Sequence, residues 1–247
     1  MIRPAPGTDT QGQGIKADWY FDFISPYAYL QFAAHPDLFE RLIETAGLVF
    51  KPVVFAGLLA HWGHKGPVEI PEKRRQTYRM IAYTAAQRDI AMKFPPGHPF
   101  NPIPALRLAI ALCDPASSAS QPAIAIVRTI FEFIWKEGHS LADDWPLLCQ
   151  RLELSVAQAD SLIGAVPVKD RLRANGEEAI ARGIYGVPTF ALMPVAGTLG
   201  TETRPELFWG EDATPMLRAW LADPGLFDTP QMRALDALPV AASRKGS

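Results

Sequence analysis

The fold of this chain can be inferred from one segment, which reads Asp18-Trp19-Tyr20-Phe21-Asp22-Phe23-Ile24-Ser25-Pro26-Tyr27-Ala28-Tyr29-Leu30. Its aromatic first half is typical of a β-strand. Serine is a favoured N-cap and proline a favoured first residue of a helix, so Ser25-Pro26 predicts that a helix begins here. Ser25 would then lie where unpaired backbone N–H groups and the helix dipole favour a thiolate or another anion.

Taken alone, Ser25-Pro26 is more simply interpreted as an ordinary helix cap. A second motif, Tyr185-Gly186-Val187-Pro188-Thr189-Phe190, changes this interpretation. Together the two motifs resemble the family of 2-hydroxychromene-2-carboxylate isomerases and kappa-class glutathione transferases, which is related to the DsbA branch of the thioredoxin fold. The resemblance runs from about Asp18 to Leu221 and is loose between the motifs. It implies that the first helix carries the reactive group and that a cis-proline loop faces it.

The bulk composition is that of an ordinary globular protein, with 247 residues, of which 48% are hydrophobic and 20% charged. The net charge of −2 provides no positive field for nucleic acid or an anionic membrane, so neither partner is predicted. No apolar run is long enough to span a bilayer. Residues 1–14 lack the apolar core of a secretory signal, and we expect a flexible tail over 1–16 and a cytoplasmic protein.

The order of predicted elements indicates an α/β fold with a thioredoxin-like core (β-α-β … β-β-α) and an all-helical insertion. We assign residues 17–56 and 184–222 to the core, 57–183 to the insertion and 223–247 to a partly disordered tail. The predicted strands are Lys16–Phe23, Leu48–Phe55, Val187–Met193 and, less clearly, Thr201–Leu207. The first two, separated by a helical region, are expected to be parallel.

The segment Ser25-Pro26-Tyr27-Ala28 contains no cysteine, so this site cannot cycle between dithiol and disulfide. The resemblance implies instead that glutathione supplies the sulfur and that Ser25 stabilises the thiolate. A serine hydrolase would need a histidine and an acid arranged with Ser25, and none of the five histidines lies in such a setting. The two cysteines, Cys113 and Cys149, are predicted to be buried free thiols, and no metal site is expected.

On sequence alone, Val187-Pro188 favours a trans bond, since only about 5% of such bonds in folded proteins are cis. The resemblance implies a cis bond, which would expose the backbone N–H and C=O of Val187 to an extended peptide such as glutathione. It also implies that Glu211 and Asp212 contact the α-amino group of glutathione. Glu211 replaces a small hydroxyl or amide residue, and Ala213 replaces an arginine. The alternative is that both acids simply cap the final helix.

The other candidates also come from the resemblance. His64 and Lys73 are the expected further glutathione contacts, although His64 replaces an asparagine. On the substrate side we expect Phe23, Tyr27, Asn101 and Arg107, of which Arg107 could bind a carboxylate in a two-pronged contact. The alternatives are a solvated charge for Lys73 and a packing role for Arg107.

The resemblance implies a glutathione-dependent isomerase that opens the cyclic hemiketal of 2-hydroxychromene-2-carboxylate to a trans benzylidenepyruvate, using the glutathione sulfur as a temporary nucleophile. A kappa-like glutathione transferase or peroxidase is the first alternative. The second is a thioredoxin-fold protein that binds a thiol or peptide without turnover. The expected partners are glutathione, a small aromatic or electrophilic substrate and a second copy of the chain in a homodimer.

Overall fold

The computed structural model describes residues 14–114, 121–194, 204–239 and 241. Its central feature is a four-stranded sheet in the order β2-β1-β3-β4. The strands are β1 Ile15–Phe21, β2 Val49–Pro52, β3 Thr189–Pro194 and β4 Glu206–Trp209. β1 pairs parallel to β2 and antiparallel to β3, and β3 pairs antiparallel to β4. The predicted parallel pair and the thioredoxin-like strand order are therefore confirmed.

Helices fill most of the chain outside the sheet. They are α1 Pro26–Ala34, α2 Pro36–Ala46, α3 Phe55–His61, α4 Pro71–Gln87, α5 Ile103–Cys113, α6 Ala123–Phe131, α7 Trp145–Arg151, α8 Val156–Gly164, α9 Val166–Ala181, α10 Thr214–Ala222 and α11 Pro230–Asp236. A π-helical segment, Glu132–Lys136, continues α6 directly. His35 ends α1 and Pro36 begins α2, so the two helices meet at this pair.

β1 lies between two hydrophobic layers because neighbouring residues of a strand point to opposite faces. On one face, Trp19 stacks on Phe21 at a centroid distance of 4.5 Å and contacts Phe32 of α1. On the other face, Tyr20 packs in a cluster with Ala179 of α9. Helices α1 and α9 therefore lie on opposite faces of the sheet.

All four strands differ from their predicted bounds, β1 and β3 by at most two residues at either end and β2 and β4 by more. β2 ends at Pro52, short of the predicted Phe55, because the N–H of Phe55 donates to the Asp22 carboxylate and α3 begins there. The strand expected over Thr201–Leu207 is β4, and residues 201–203 lie outside the described part of the chain. The tail that was expected to be partly disordered contains α11, which the Thr229 side chain caps through the N–H of Met232.

By its backbone contacts the chain separates into two compact units, one ending at Glu211 and one beginning at Asp212. The first contains the sheet and α1 to α9, and the second contains α10 and α11. The division of the chain into a sheet domain, a helical insertion and two tails remains a prediction.

Cys113 and Cys149 are both free, as predicted; Cys149 is buried and Cys113 is half-buried. Burial raises the pKa of the Cys113 thiol to about 12 and also raises that of Cys149. In the described residues, no cluster of three His, Cys, Asp or Glu side chains could hold a metal ion. Across the same ranges, every helix is too short or too polar to cross a membrane.

Candidate functional site

Ser25 lies at the start of α1, just beyond the end of β1. A turn in which the Ser25 N–H donates to the Asp22 carbonyl at 3.0 Å joins the strand to the helix. The Ser25 Oγ accepts from the N–H of Ala28 at 3.2 Å, so the residue is the predicted N-cap, and only 6% of it is exposed. Among the described residues its O–H proton has no acceptor. That hydroxyl is therefore available as a donor.

Asp22 supports this turn from inside the protein. Its Oδ1 accepts from the N–H of Ile24 at 3.0 Å, and its Oδ2 accepts from the N–H of Phe55 at 2.9 Å. The carboxyl group is completely buried, and burial raises its pKa to about 7 although the two backbone donors act in the opposite direction. Asp22 thus ties the Ser25 turn to the start of α3.

Two side chains from distant parts of the chain hold the carbonyl groups of the same turn. Trp135 Nε1 donates to the Phe23 carbonyl at 2.8 Å, and His98 Nε2 lies 2.8 Å from the Ile24 carbonyl. Because a carbonyl only accepts, His98 must carry its proton on Nε2, which leaves Nδ1 to accept from the Tyr78 hydroxyl at 2.7 Å. Burial lowers the pKa of His98, which favours this neutral form.

The Val187-Pro188 loop lies beside the Ser25 turn. β3 pairs with β1 as far as Tyr20 and Thr189, so the loop that precedes β3 lies at the end of the sheet where β1 leads into the Ser25 turn. The Val187–Pro188 peptide bond is cis. Within the described ranges the backbone N–H and C=O of Val187 have no hydrogen-bond partner.

The rest of this loop is held firmly. The Thr189 hydroxyl donates to the Gly186 carbonyl at 2.8 Å, and the N–H of Gly210 donates to the Pro188 carbonyl at 2.8 Å. The Trp209 indole lies so close to Gly186 that any side chain there would collide with it. Val187 therefore presents free backbone groups from a fixed loop.

Glu211 is buried and already has partners inside the protein. Its carboxylate contacts Arg88, and His35 Nε2 lies 3.7 Å away. Burial alone would raise the pKa of Glu211, but the His35 and Arg88 contacts outweigh it and leave the pKa below its usual range. Arg88 and His35 both contact Oε1 of this carboxylate, and its expected contact with the amino group of a ligand stays a prediction. Asp212 belongs to the second compact unit.

The remaining predicted glutathione contacts are exposed. His64 follows α3 in a loop where its N–H donates to the Leu59 carbonyl, and Lys73 lies in the first turn of α4. Both side chains are accessible to a ligand.

The predicted substrate-side residues are placed differently from one another. Phe23 is completely buried, with its ring 4.7 Å from that of Phe131, so it belongs to the aromatic core rather than to a ligand surface. Tyr27 packs against the cluster around Leu30, and the Asn101 side chain accepts from the N–H of Ile103. Arg107 lines a pocket to which Phe23, Ser25 and Tyr27 do not contribute.

Sequence reasoning missed the side chains that fix the Ser25 turn, namely Asp22, His98 and Trp135. Asp22 lies within the first motif, and its charge at the end of an aromatic strand is the signal that identifies it. No local signal connects His98 or Trp135 to Ser25, because they follow it by more than seventy residues.

Comparisons with known proteins agree on one family. A family model described as a DSBA-like thioredoxin domain matches residues 16–222. The chain is 23% identical over 212 residues to glutathione S-transferase kappa 2 of Caenorhabditis elegans, covering 83% of this chain and 91% of the relative. It is 26% identical over 210 residues to 2-hydroxychromene-2-carboxylate isomerase of Pseudomonas putida, covering 82% and 92%. Among solved structures, a 2-hydroxychromene-2-carboxylate isomerase matches with a TM-score of 0.65 and 21% identity, covering 90% of this chain and 99% of that one.

Proposed function

Since this chain belongs to the DSBA-like thioredoxin domain family, we propose that it is a glutathione-dependent isomerase of the 2-hydroxychromene-2-carboxylate isomerase type. Relatives with that activity in their names match over more than four fifths of the chain. The observation that carries the proposal is the Ser25 hydroxyl, a free donor at the start of α1 in a site that contains no cysteine.

The groups present fit glutathione in chemistry. A thiolate needs hydrogen-bond donors, which the Ser25 O–H and the helix start provide. An extended peptide backbone needs one donor and one acceptor on a fixed loop, which the free N–H and C=O of Val187 provide. His64, Lys73 and Asp212 remain candidates for the charged ends of the peptide.

Glutathione, when bound, would supply the nucleophilic sulfur. Ser25 would donate to that sulfur and keep it ionised near neutral pH. Val187 would orient the peptide, while Asp22, His98 and Trp135 would prevent the turn that carries Ser25 from moving. Arg88 would hold Glu211 in place, and Glu211 remains a candidate contact for the α-amino group of glutathione.

A kappa-like glutathione transferase is the second candidate, because two matched relatives carry that name. Product analysis separates the two, since an isomerase returns glutathione unchanged and a transferase leaves it joined to the product. Binding of glutathione without turnover of either substrate type would favour a binding protein. Homodimer formation and a cytoplasmic location remain predictions.

The test is Ser25→Ala. Loss of one hydrogen bond to a charged group, about 1.5–3 kcal/mol, should raise the pKa of the bound thiol by about one to two units. The rate at neutral pH should then fall about tenfold or more and recover in part as the pH rises. Thiolate absorbance of bound glutathione measures the pKa directly.

Ser155→Ala is the matched control, because the Ser155 side chain caps α8 through the N–H of Gln158 at the same 3.2 Å distance. Both variants should lose about 1 kcal/mol of folding free energy through the missing cap. Only Ser25→Ala should alter the thiol pKa and the pH–rate profile. An unchanged thiol pKa in Ser25→Ala with glutathione bound would refute the proposed role.

A further inference from the structure

A chain of hydrogen bonds leads from α4 to the Ser25 turn. Arg74 Nη2 donates to the His98 carbonyl at 3.1 Å, and the Tyr78 hydroxyl lies 2.7 Å from His98 Nδ1. The other ring nitrogen, Nε2, lies 2.8 Å from the carbonyl of Ile24, the residue directly before Ser25. A change in the protonation of His98 therefore takes place one hydrogen bond away from the turn.

The Tyr78 hydroxyl has one proton and two acceptors within reach. Besides Nδ1, the carbonyl oxygen of His98 lies 3.1 Å from the hydroxyl oxygen. When the ring is neutral, the hydroxyl donates to Nδ1. When Nδ1 binds a proton, the hydroxyl can accept from it and turn its own proton towards the His98 carbonyl. Both protonation states thus give the ring nitrogens and the hydroxyl a partner, and Nε2 donates to Ile24 in both.

The surroundings of the ring make this proton depend on Tyr78. Burial lowers the pKa of His98, and the positive charge of Arg74 also lowers it, while the bond to Ile24 acts in the opposite direction. One side of the ring packs against Trp135, with the centroids 5.3 Å apart. In the part of the chain that the structure describes, no carboxylate bonds to the ring. The Tyr78 hydroxyl is therefore the acceptor for a proton on Nδ1.

We propose that Tyr78 and His98 form a proton-accepting pair that adds a positive charge to the Ser25 turn as the pH falls. The pairing itself needs no ligand, whereas its effect on a bound thiolate rests on the proposed function. Acid converts a thiolate into the less reactive thiol. An imidazolium beside the turn would oppose that conversion, because a nearby positive charge favours the ionised sulfur. Tyr78 is then a positioning residue that acts through His98 and extends the activity of the site towards lower pH.

The first test follows the His98 ring nitrogens by NMR in the full chain without ligand, between about pH 8 and about pH 5. In the parent, Nε2 should stay protonated throughout, and Nδ1 should gain a proton as the pH falls. In Tyr78→Phe that proton has no acceptor, so the ratio of protonated to neutral rings near pH 5 should be about tenfold smaller. Tyr83→Phe, which removes an exposed hydroxyl from the same helix, should behave as the parent does.

The second test measures the thiolate absorbance of bound glutathione in the same three proteins. As the pH falls, Tyr78→Phe should lose the thiolate at a higher pH than the parent and Tyr83→Phe. Asp22 also titrates in this turn, since burial raises its pKa to about 7, but it is present in all three proteins and its effect cancels.

The proposal is overturned if Nδ1 of the parent gains no proton over this range, or if Tyr78→Phe takes up the proton as readily as Tyr83→Phe. Equal thiolate absorbance in the parent and Tyr78→Phe would overturn the effect on the site. Failure of all three proteins to bind glutathione would refute the proposed function, while the NMR measurement without ligand would still decide whether Tyr78 and His98 accept a proton together.

Discussion

Replacement of Asp22 by asparagine should change how folding stability depends on pH. The Asp22 carboxyl is completely buried, and its pKa rises from the ordinary 3.8 to about 7. Since the folded state holds this proton more tightly than the unfolded state does, the contribution of Asp22 is most favourable below about pH 4. It is lost as the pH rises from about 4 to about 7. A difference of about three pH units corresponds to about 4 kcal/mol.

Asparagine cannot ionise, so Asp22→Asn removes this dependence. It also introduces a cost, because the amide NH₂ group would face one of the two N–H donors, of Ile24 or Phe55, that the carboxylate accepts. Two buried donors that face each other without an acceptor cost about 1–3 kcal/mol of folding free energy at every pH. The variant should therefore be less stable than the parent near pH 4 and more stable, by about 1–3 kcal/mol, near pH 8.

Urea denaturation of both proteins at several pH values measures the effect. The quantity to compare is the difference between the free energies of unfolding of the parent and of Asp22→Asn. The other carboxyl groups titrate alike in both proteins, so their contributions cancel in this difference. Asp143→Asn, at an exposed position, controls for the loss of a surface carboxylate. A difference that stays flat between about pH 4 and about pH 8 would show that Asp22 does not hold its proton as described.

Three further outcomes are expected. His98→Phe, which removes a buried donor to the Ser25 turn, should cost about 1–3 kcal/mol of folding free energy. It should also lower the rate of the proposed glutathione-dependent reaction at every pH, and an unchanged rate would mean that the turn does not need this bond. Arg88→Met should destabilise the protein by about 1–3 kcal/mol in urea, because the buried Glu211 carboxylate loses its contact with a permanently charged side chain. Adding Glu211→Gln should restore part of the loss, and no restoration would contradict the pairing. Unfolding without reductant should leave Cys113 and Cys149 both reactive towards a thiol reagent, and an unreactive pair would disprove free thiols.

The features that the sequence predicted well are encoded locally. The cap at Ser25 follows from a serine-proline pair after an aromatic strand, and the start of β3 follows from Gly-Val-Pro-Thr. The features that it did not predict depend on partners far along the chain. Nothing near His98 indicates that its ring contacts the Ile24 carbonyl, and nothing near Glu211 indicates that Arg88 neutralises it.

Phe23 illustrates the same limit. The resemblance placed it on the substrate side, two residues before Ser25, but its ring packs in the aromatic core against Phe131 of α6. The end of β2 was mispredicted for a related reason. The run after Pro52 is apolar enough for a strand, but α3 begins at Phe55, whose N–H donates to the distant Asp22 carboxylate.

The position of β1 has a consequence for synthesis of the protein. β1 pairs with β3, and the two strands are separated by about 170 residues, so one edge of β1 has no partner until nearly the whole chain has left the ribosome. At about 5–20 residues per second, this delay lasts roughly 10–35 s. During that time, the unpaired edge of β1 can form hydrogen bonds with strands of other nascent chains. Its residues Trp19, Tyr20 and Phe21 are buried in the folded protein but are exposed at this stage. Release of chains truncated before β3 should therefore yield aggregates, and efficient production should depend on chaperones that shield the N-terminal segment.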